Sequence, residues 1–349
     1  MRVLNEVADK KKVELRNILQ MDDNSKALDV FKAEAQKMKA SIKKAFPEYK
    51  TQSMNVRAEF GDPSVHEGKF CHVELVVWND QVDSELKKEY EELCRLSKLP
   101  NSDADFVGRY AEAIYGDSEA QWHVGRCYEE GKKIEKNDGK AFSWYMKAAK
   151  QNNSDGQYEV GRCFDKGIYV LQDSNQAFEW YSKSAEQGHA VAQLYLATCY
   201  YYGKGIPKRA NKAFEWYVKS AEQGNAVAQY NSGFCLEAGV GIRRDMNKAF
   251  LWYTKSAEQG NAKARFKVAE CFENGKGVEK DEEKAFLWYL KSAEQGHAEA
   301  QNKTGRCFEF GKGVVKDHEQ AFMWYLKSAR QGNIDAQKSL AYSYNYVKG

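Results

Sequence analysis

Proline is scarce in this chain, with four residues in 349. That excludes proline-rich linkers and a loop-dominated architecture, and it leaves room for long unbroken helices. A charge excess is also missing. The formal net charge is +3, and residues 1–100 hold 18 basic and 18 acidic side chains, so no basic domain stands out. The expectation is no nucleic-acid partner. No apolar run approaches the ~20 residues that span a bilayer, so no membrane segment is expected. The stretch MRVLNEVADKKKVEL lacks the apolar centre of a secretion signal, which predicts a cytoplasmic or nuclear protein. Eight cysteines are present, yet no Cys-x-x-Cys pair, which leaves a structural zinc site without support. Nucleophile, P-loop and dinucleotide-binding motifs are absent too. No catalytic residue, metal ligand or cofactor is therefore predicted, and an enzyme is not expected.

What the chain does have is repetition. The dipeptide Trp-Tyr begins at Trp144, Trp180, Trp216, Trp252, Trp288 and Trp324, every 36 residues, and an Ala-Phe pair precedes each copy. Cys127, Cys163, Cys199, Cys235, Cys271 and Cys307 keep the same period. Six full repeats run over 118–333, and a half-repeat, 334–349, closes the sequence with Ser343 where the cysteine would fall. Each repeat reads as two helices. In the third, AVAQLYLATCYYYG places Ala192, Leu196, Ala197 and Tyr200 at helical spacing. Gly203, Gly205 and Pro207 break the chain, and NKAFEWYVKSAEQG follows as a second helix stopped at Gly224. A 36-residue hairpin cannot bury its apolar face alone, but stacked hairpins can. The expected fold is mainly α: a right-handed α/α superhelical solenoid of 36-residue helical hairpins with a small N-terminal α+β unit. Gly161, Ala197, Gly233 and Ala269 are expected to let helices approach closely. In the first two repeats Lys133 and Tyr169 replace the second loop glycine, which predicts turns of a different shape. The Lys-Ser-Ala-Glu-Gln-Gly stretches read as solvated helix ends.

The pattern A-x-A-Q…G-x-C-[YF]…G-x-G-[VI]…K-A-F-x-W-Y-x-K-[SA]-A-E-Q-G resembles the Sel-one-like repeat, a relative of the tetratricopeptide repeat. The resemblance covers about two thirds of the chain and implies the solenoid fold. It also implies adaptor and scaffold roles, among them degradation complexes, bacterial signalling, host contact and immunity proteins that neutralise toxins. Members stapled by disulfides carry two cysteines per repeat, whereas this chain has one. Copies one hairpin apart lie beyond the ~7 Å Cα limit for a bridge. The recurrent cysteine is expected to be a small buried hydrophobe in a reducing compartment.

Residues 1–80 resemble nothing in the array. Leu28, Phe31, Ala35, Met38 and Ile42 form a helical stripe within 25–46, stopped by Pro47. Val56, Ala58 and Phe60 alternate, as do Cys71, Val73, Leu75 and Val77, which predicts two strands joined by GDPSVHEGK. Two strands alone are marginal in water, so this unit is expected to dock on the first repeats or to self-associate. Residues 81–117 read as a degenerate helical pair, with Phe106, Ala113 and Gly116 in the places of the usual Phe, Ala and Gly. The group His66, Glu67, Cys71, His72 and Glu74 is the one cluster with ligand chemistry. A strand puts His72 and Glu74 on one face and Cys71 on the other, which favours a plain polar strand face.

Comparing repeats with one another points to a binding face. In the first helix, Ala192, Gln193, Ala197, Cys199 and Tyr200 have near-invariant counterparts, as stacking residues should. The columns of Val191, Leu194, Tyr195, Thr198, Tyr201 and Tyr202 vary, and they share one helix face. In solenoids of this kind the first helix lines the concave surface, so the variable face is expected to be a groove for a protein or peptide. The predicted contact residues are Trp122, Arg126, Tyr158, Arg162, Leu194, Tyr195, Thr198, Tyr201, Tyr202, Tyr230, Phe234, Phe266 and Arg306. Aromatics beside arginine have the composition of interface hot spots. The competing reading packs the Leu194 column between helices and leaves its edges wet. A scaffold or adaptor is the leading functional expectation. The alternatives are an immunity-type inhibitor binding one enzyme one-to-one, and an enzyme with its site in residues 1–80.

Overall fold

The computed structural model describes the backbone of residues 54–60, 71–77, 92, 95, 104–114 and 116–347. The chain divides into two compact units, Met1–Leu99 and Pro100–Gly349. In the first, strands β1 (Met54–Phe60) and β2 (Cys71–Val77) pair antiparallel, with Val56 opposite Leu75 and Glu59 opposite His72. Both strands fall where the alternation placed them. The helix expected within 25–46, the GDPSVHEGK loop with His66 and Glu67, and most of 81–103 lie outside the described residues.

The second unit is a run of helices joined in sequence: α1 (Ala104–Ile114), α2 (Ser118–Glu130), α3 (Asp138–Lys150), α4 (Ser154–Lys166), α5 (Ser174–Glu186), α6 (Ala190–Tyr202) and α7 (Ala210–Glu222). It continues through α8 (Ala226–Ala238), α9 (Met246–Glu258), α10 (Ala262–Asn274), α11 (Glu282–Glu294), α12 (Ala298–Phe310), α13 (His318–Arg330) and α14 (Ile334–Val347). Each helix packs on the next, which is the α/α solenoid. Among the described residues, no helix is long and apolar enough to cross a membrane.

Local chemistry sets each boundary. The first helix of a repeat starts where a side chain accepts a backbone N–H: Asp117 from Ala120, Asn225 from Ala228 and His189 Nδ1 from Ala192. It ends at a left-handed glycine, such as Gly203, whose N–H donates to the Cys199 carbonyl. The second loop glycine has a different reason. A Cβ on Gly241 would stand 2.1 Å from the Ala210 carbonyl of the preceding repeat, so only a bare backbone fits there. Lys133 and Tyr169 nevertheless adopt the same left-handed conformation, at φ 67° and 64°. The expected difference in turn shape is thus not found. Room is made on the other side: Gly139 stands where later repeats have Asn or Glu, and a Cβ on it would be 2.6 Å from the Tyr169 ring.

Within each hairpin, the tyrosine of Trp-Tyr lies flat on a small residue of the first helix. A Cβ on Gly233 would meet the Tyr253 ring at 2.7 Å, and Tyr253 is fully buried. Its hydroxyl, and those of Tyr145, Tyr289 and Tyr325, donate to Glu237, Glu129, Glu273 and Glu309 at 2.6–2.7 Å. Burial raises these phenols well above their ordinary pKa, so they stay protonated donors.

Polar residues join the two helices of each repeat and tie each repeat to the one before, and here the solvated reading of Lys-Ser-Ala-Glu-Gln-Gly is corrected. Ser184, Ser220, Ser256, Ser292 and Ser328 are buried and donate to a carbonyl 30 residues earlier, at 2.6–2.8 Å. The following glutamine joins a glutamine of the same repeat's first helix, as Gln223 does to Gln193 at 2.8 Å. Gln193 in turn donates to the carbonyl of Ala185 in the repeat before. The lysines cover tryptophans, with Nζ 3.9–4.6 Å from the ring centres. Arg265 breaks the glutamine series. Its Nε donates to Ala257 instead, and Gln295 turns to the Gly260 carbonyl. The helical part of the degenerate pair, α1, plugs the start of the array: Tyr110 is fully buried, its ring 5.7 Å from Trp144.

Candidate functional site

The variable face of the first helices divides into three stretches with different chemistry. Over α2 and α4 it is ionic. Arg126 lies 5.3 Å above Trp122 and pairs with Glu130 at 2.6 Å; hydrogen bonds from Lys132 and Arg126 hold the Glu130 carboxyl down to about 2. Arg162 binds Glu159 at 2.5 Å and also Glu129 on the first helix of the preceding repeat, so it ties two repeats together. Its side chain is 21% exposed against 45% for Arg126. Arg126 can therefore meet a partner, whereas Arg162 is occupied by two carboxylates.

Over α6 and α8 the face carries almost no charge. Neither AVAQLYLATCYYY nor AVAQYNSGFCLEA holds a basic residue, and the only acid in either is Glu237. Tyr195 stacks on Tyr181 with ring centres 5.2 Å apart. Thr198 donates to the Leu194 carbonyl at 2.9 Å and sits 3.4 Å from the Tyr217 hydroxyl. Tyr201 stands where four other repeats have the tyrosine-binding glutamate, and it makes an edge contact with Tyr202 at 4.8 Å. Tyr202 is 59% exposed, and Val227 of the next repeat 49%. Phe234 is half-buried.

Over α10 and α12 the face is ionic again. Lys267 bridges Glu237 at 3.3 Å and Glu270 at 3.0 Å, and Lys303 pairs with Glu273 at 2.8 Å. Arg306 is exposed.

The column of Leu194 is less accessible than its neighbours. Tyr158 stacks on His189 at 4.9 Å, and Phe266 on His297 at 5.0 Å. Leu194, Tyr230 and Phe266 pack against buried clusters, and Trp122 is half-buried with its Nε1 enclosed. These residues join repeats and show only their edges. Two features escaped the column comparison. Phe310, in the column of Tyr202, is exposed. Leu251, Leu287 and Met323 line up, exposed, on the second helices of repeats four to six, where repeats one to three have Ser143, Glu179 and Glu215. Their 36-residue spacing was a signal available in the sequence.

The thiols offer no chemistry to this face. Burial pushes the Cys163 thiol up to about 12 and those of Cys199, Cys235, Cys271 and Cys307 up to about 11. Among the described residues, no group of three or more His, Cys, Asp or Glu could hold a metal ion.

Helical pairs closed within by buried serines, bonded to one another through buried glutamines and varied on one exposed face, define a repeat scaffold. The Sel1 repeat matches residues 118–153, 154–189, 190–225, 226–261, 262–297 and 298–333, and the chain belongs to the Sel1 repeat family. Among solved structures it is similar to c5321, a protective antigen of uropathogenic Escherichia coli strains with an SLR fold. That match has 32% identity and a TM-score of 0.66, over 75% of this chain and 57% of that one. This chain thus spans little more than half the length of that relative. It is also similar to a Sel1 repeat protein from Oxalobacter formigenes, at 34% identity and TM-score 0.58, over 63% of this chain and 86% of the other. No curated protein sequence matches it. Sel1 repeat proteins are generally protein-interaction scaffolds rather than enzymes.

Proposed function

We propose that the array is a scaffold that holds a partner protein against the exposed face of its first helices. The observation that carries this reading is the contrast between columns. The stacking columns bond the repeats to one another, while the outer columns change chemistry from ionic to aromatic and back without altering the backbone. A face whose residues are released from structural duty, and which exposes Tyr202, Val227 and Phe310, has the makings of a recognition surface.

The test is capture of a partner by the full chain beside a variant with Arg126, Tyr195 and Arg306 replaced by alanine. Arg162 is left intact because its two carboxylate partners make it structural. A partner held by wild type and lost by the variant, at equal melting temperature, supports the reading. A partner held equally by both places the contact elsewhere and overturns it. The stoichiometry of the purified complex then separates a dedicated one-to-one inhibitor from an adaptor with several clients.

A further inference from the structure

The first-helix face changes character abruptly at its middle. The surface formed by exposed Tyr202 and Val227 with half-buried Tyr195, Thr198, Tyr201 and Phe234 crosses two neighbouring repeats, roughly 20 Å at helix-packing distances. It carries no charge of its own. The charges at its borders are already satisfied by one another. On one side, Asp165 lies 3.6 Å from both Lys166 and Lys204, and Glu159 is held by Arg162. On the other, Glu237 receives the Tyr253 hydroxyl and pairs with Lys267. A partner charge laid over this stretch would lose water and gain no counter-ion, which penalises charged occupants. Aliphatic and aromatic groups lose nothing there, and tyrosine and threonine hydroxyl groups suit the backbone of an extended peptide.

We propose that repeats three and four form the primary docking site, and that its occupant is an uncharged apolar peptide segment of the partner protein. This rests on the first-helix reading and narrows it: the ionic stretches on either side are borders, and the aromatic saddle between them does the selecting.

The array itself supplies the substitutions that test this. The position of Tyr202 is glutamate in the first repeat (Glu130), and that of Val227 is glutamate in the first and sixth (Glu119 and Glu299). A Tyr202→Glu, Val227→Glu variant therefore installs residues that the same helix already tolerates elsewhere in the array. The probe is a library of displayed random peptides of roughly 12 residues, long enough to cross two repeats when extended. It is selected on the full-length protein, and the winners are measured against wild type and variant by fluorescence anisotropy.

The expected result is a consensus without Asp, Glu, Lys or Arg at its contact positions, with affinity falling at least about tenfold in the variant. Equal melting temperatures show that the loss is local. A charged consensus, or peptides that bind the variant as well as wild type, overturns the proposal. So does the absence of any selected sequence that depends on Tyr202. Self-association of the wild type that the variant abolishes names a second copy as the occupant, and overturns it too. The two readings fail separately. If a partner is lost on replacing Arg126, Tyr195 and Arg306 but retained by the double glutamate variant, the scaffold reading stands and this narrower one falls.

Discussion

Helices α4 and α6 occupy equivalent places one repeat apart, yet they present opposite surfaces. On α4, Glu159, Arg162 and Asp165 form ion pairs with other side chains of the array. On α6, Tyr195, Thr198 and Tyr201 stand at the same three positions. The hairpins beneath are the same: Tyr181 lies on Gly161 as Tyr217 lies near Ala197, and both tyrosines are buried. The difference teaches that the columns building the stack and those facing outward are energetically separate. Repeat three could trade its acid for Tyr201 because Tyr217 finds Thr198 instead. In repeat two the acid is shortened to Asp165, and the Tyr181 hydroxyl is buried with no hydrogen-bond partner.

The largest expected effect breaks the stack itself. Tyr253→Ala removes a fully buried ring and leaves Glu237 with Lys267 alone, and should cost about 3–5 kcal/mol in denaturant unfolding. A loss below about 1 kcal/mol would mean that the stacking column is not distinct from the outer one. Next comes the ionic stretch. Arg162→Ala removes the ion pairs of two half-buried carboxylates, leaving Glu129 only the Tyr145 hydroxyl, and should cost roughly 1–3 kcal/mol. Arg126→Ala breaks one exposed pair and should cost less than about 1 kcal/mol. Equal losses would erase the distinction drawn between the two arginines.

A smaller effect separates repeats capped by histidine from those capped by asparagine. His297 accepts the Ala300 N–H through Nδ1 at 3.3 Å, which requires the neutral ring. Burial lowers its pKa below the ordinary value, with Lys263 acting the same way and Glu299 and Glu270 opposing. The unfolded chain then takes up the proton more readily. The cap's contribution is complete above the ordinary histidine pKa of about 6.5, and is lost as pH falls through the lower folded value. About 1 kcal/mol should disappear over that range in wild type, whereas His297→Asn should flatten the profile. A variant profile as steep as wild type would assign the pH dependence to other groups. The smallest effect is Tyr202→Ala, which should change stability by less than about 0.5 kcal/mol because the ring is mostly exposed.

The architecture was legible because it is written six times. Cys199 and Gly203 announce one helix end, and Trp216-Tyr217 marks the second helix of its hairpin. What was not legible is what those residues touch. Ser256 looks like a solvated position near a helix end, and only its 2.6 Å bond to the Ala226 carbonyl, 30 residues away, makes it a buried joint. Tyr169 reads as a broken turn because its compensation, Gly139, lies in another part of the sequence. On the first-helix face, variability picked out Tyr202 and Arg126, which are exposed. It could not separate them from Tyr158 or Phe266, which vary while packing against the histidine that caps the next repeat's first helix. Variation reports freedom from identity, and a half-buried column that accepts Trp, Tyr, Leu or Phe has that freedom without being open.

The joints between hairpins also bear on how such a chain changes length. Every serine bond closes within its own hairpin, and each glutamine donates to a carbonyl eight residues before it, in the preceding hairpin. Excising 190–225 would therefore set Gln229 against Ala185, as Gln193 is now, and leave no buried partner stranded. The molecule can be cut or duplicated in steps of one repeat like a sentence punctuated the same way after every clause, with Arg265 the one mark out of place. Recombination can thus shorten, extend or reorder the aromatic saddle without redesigning a core.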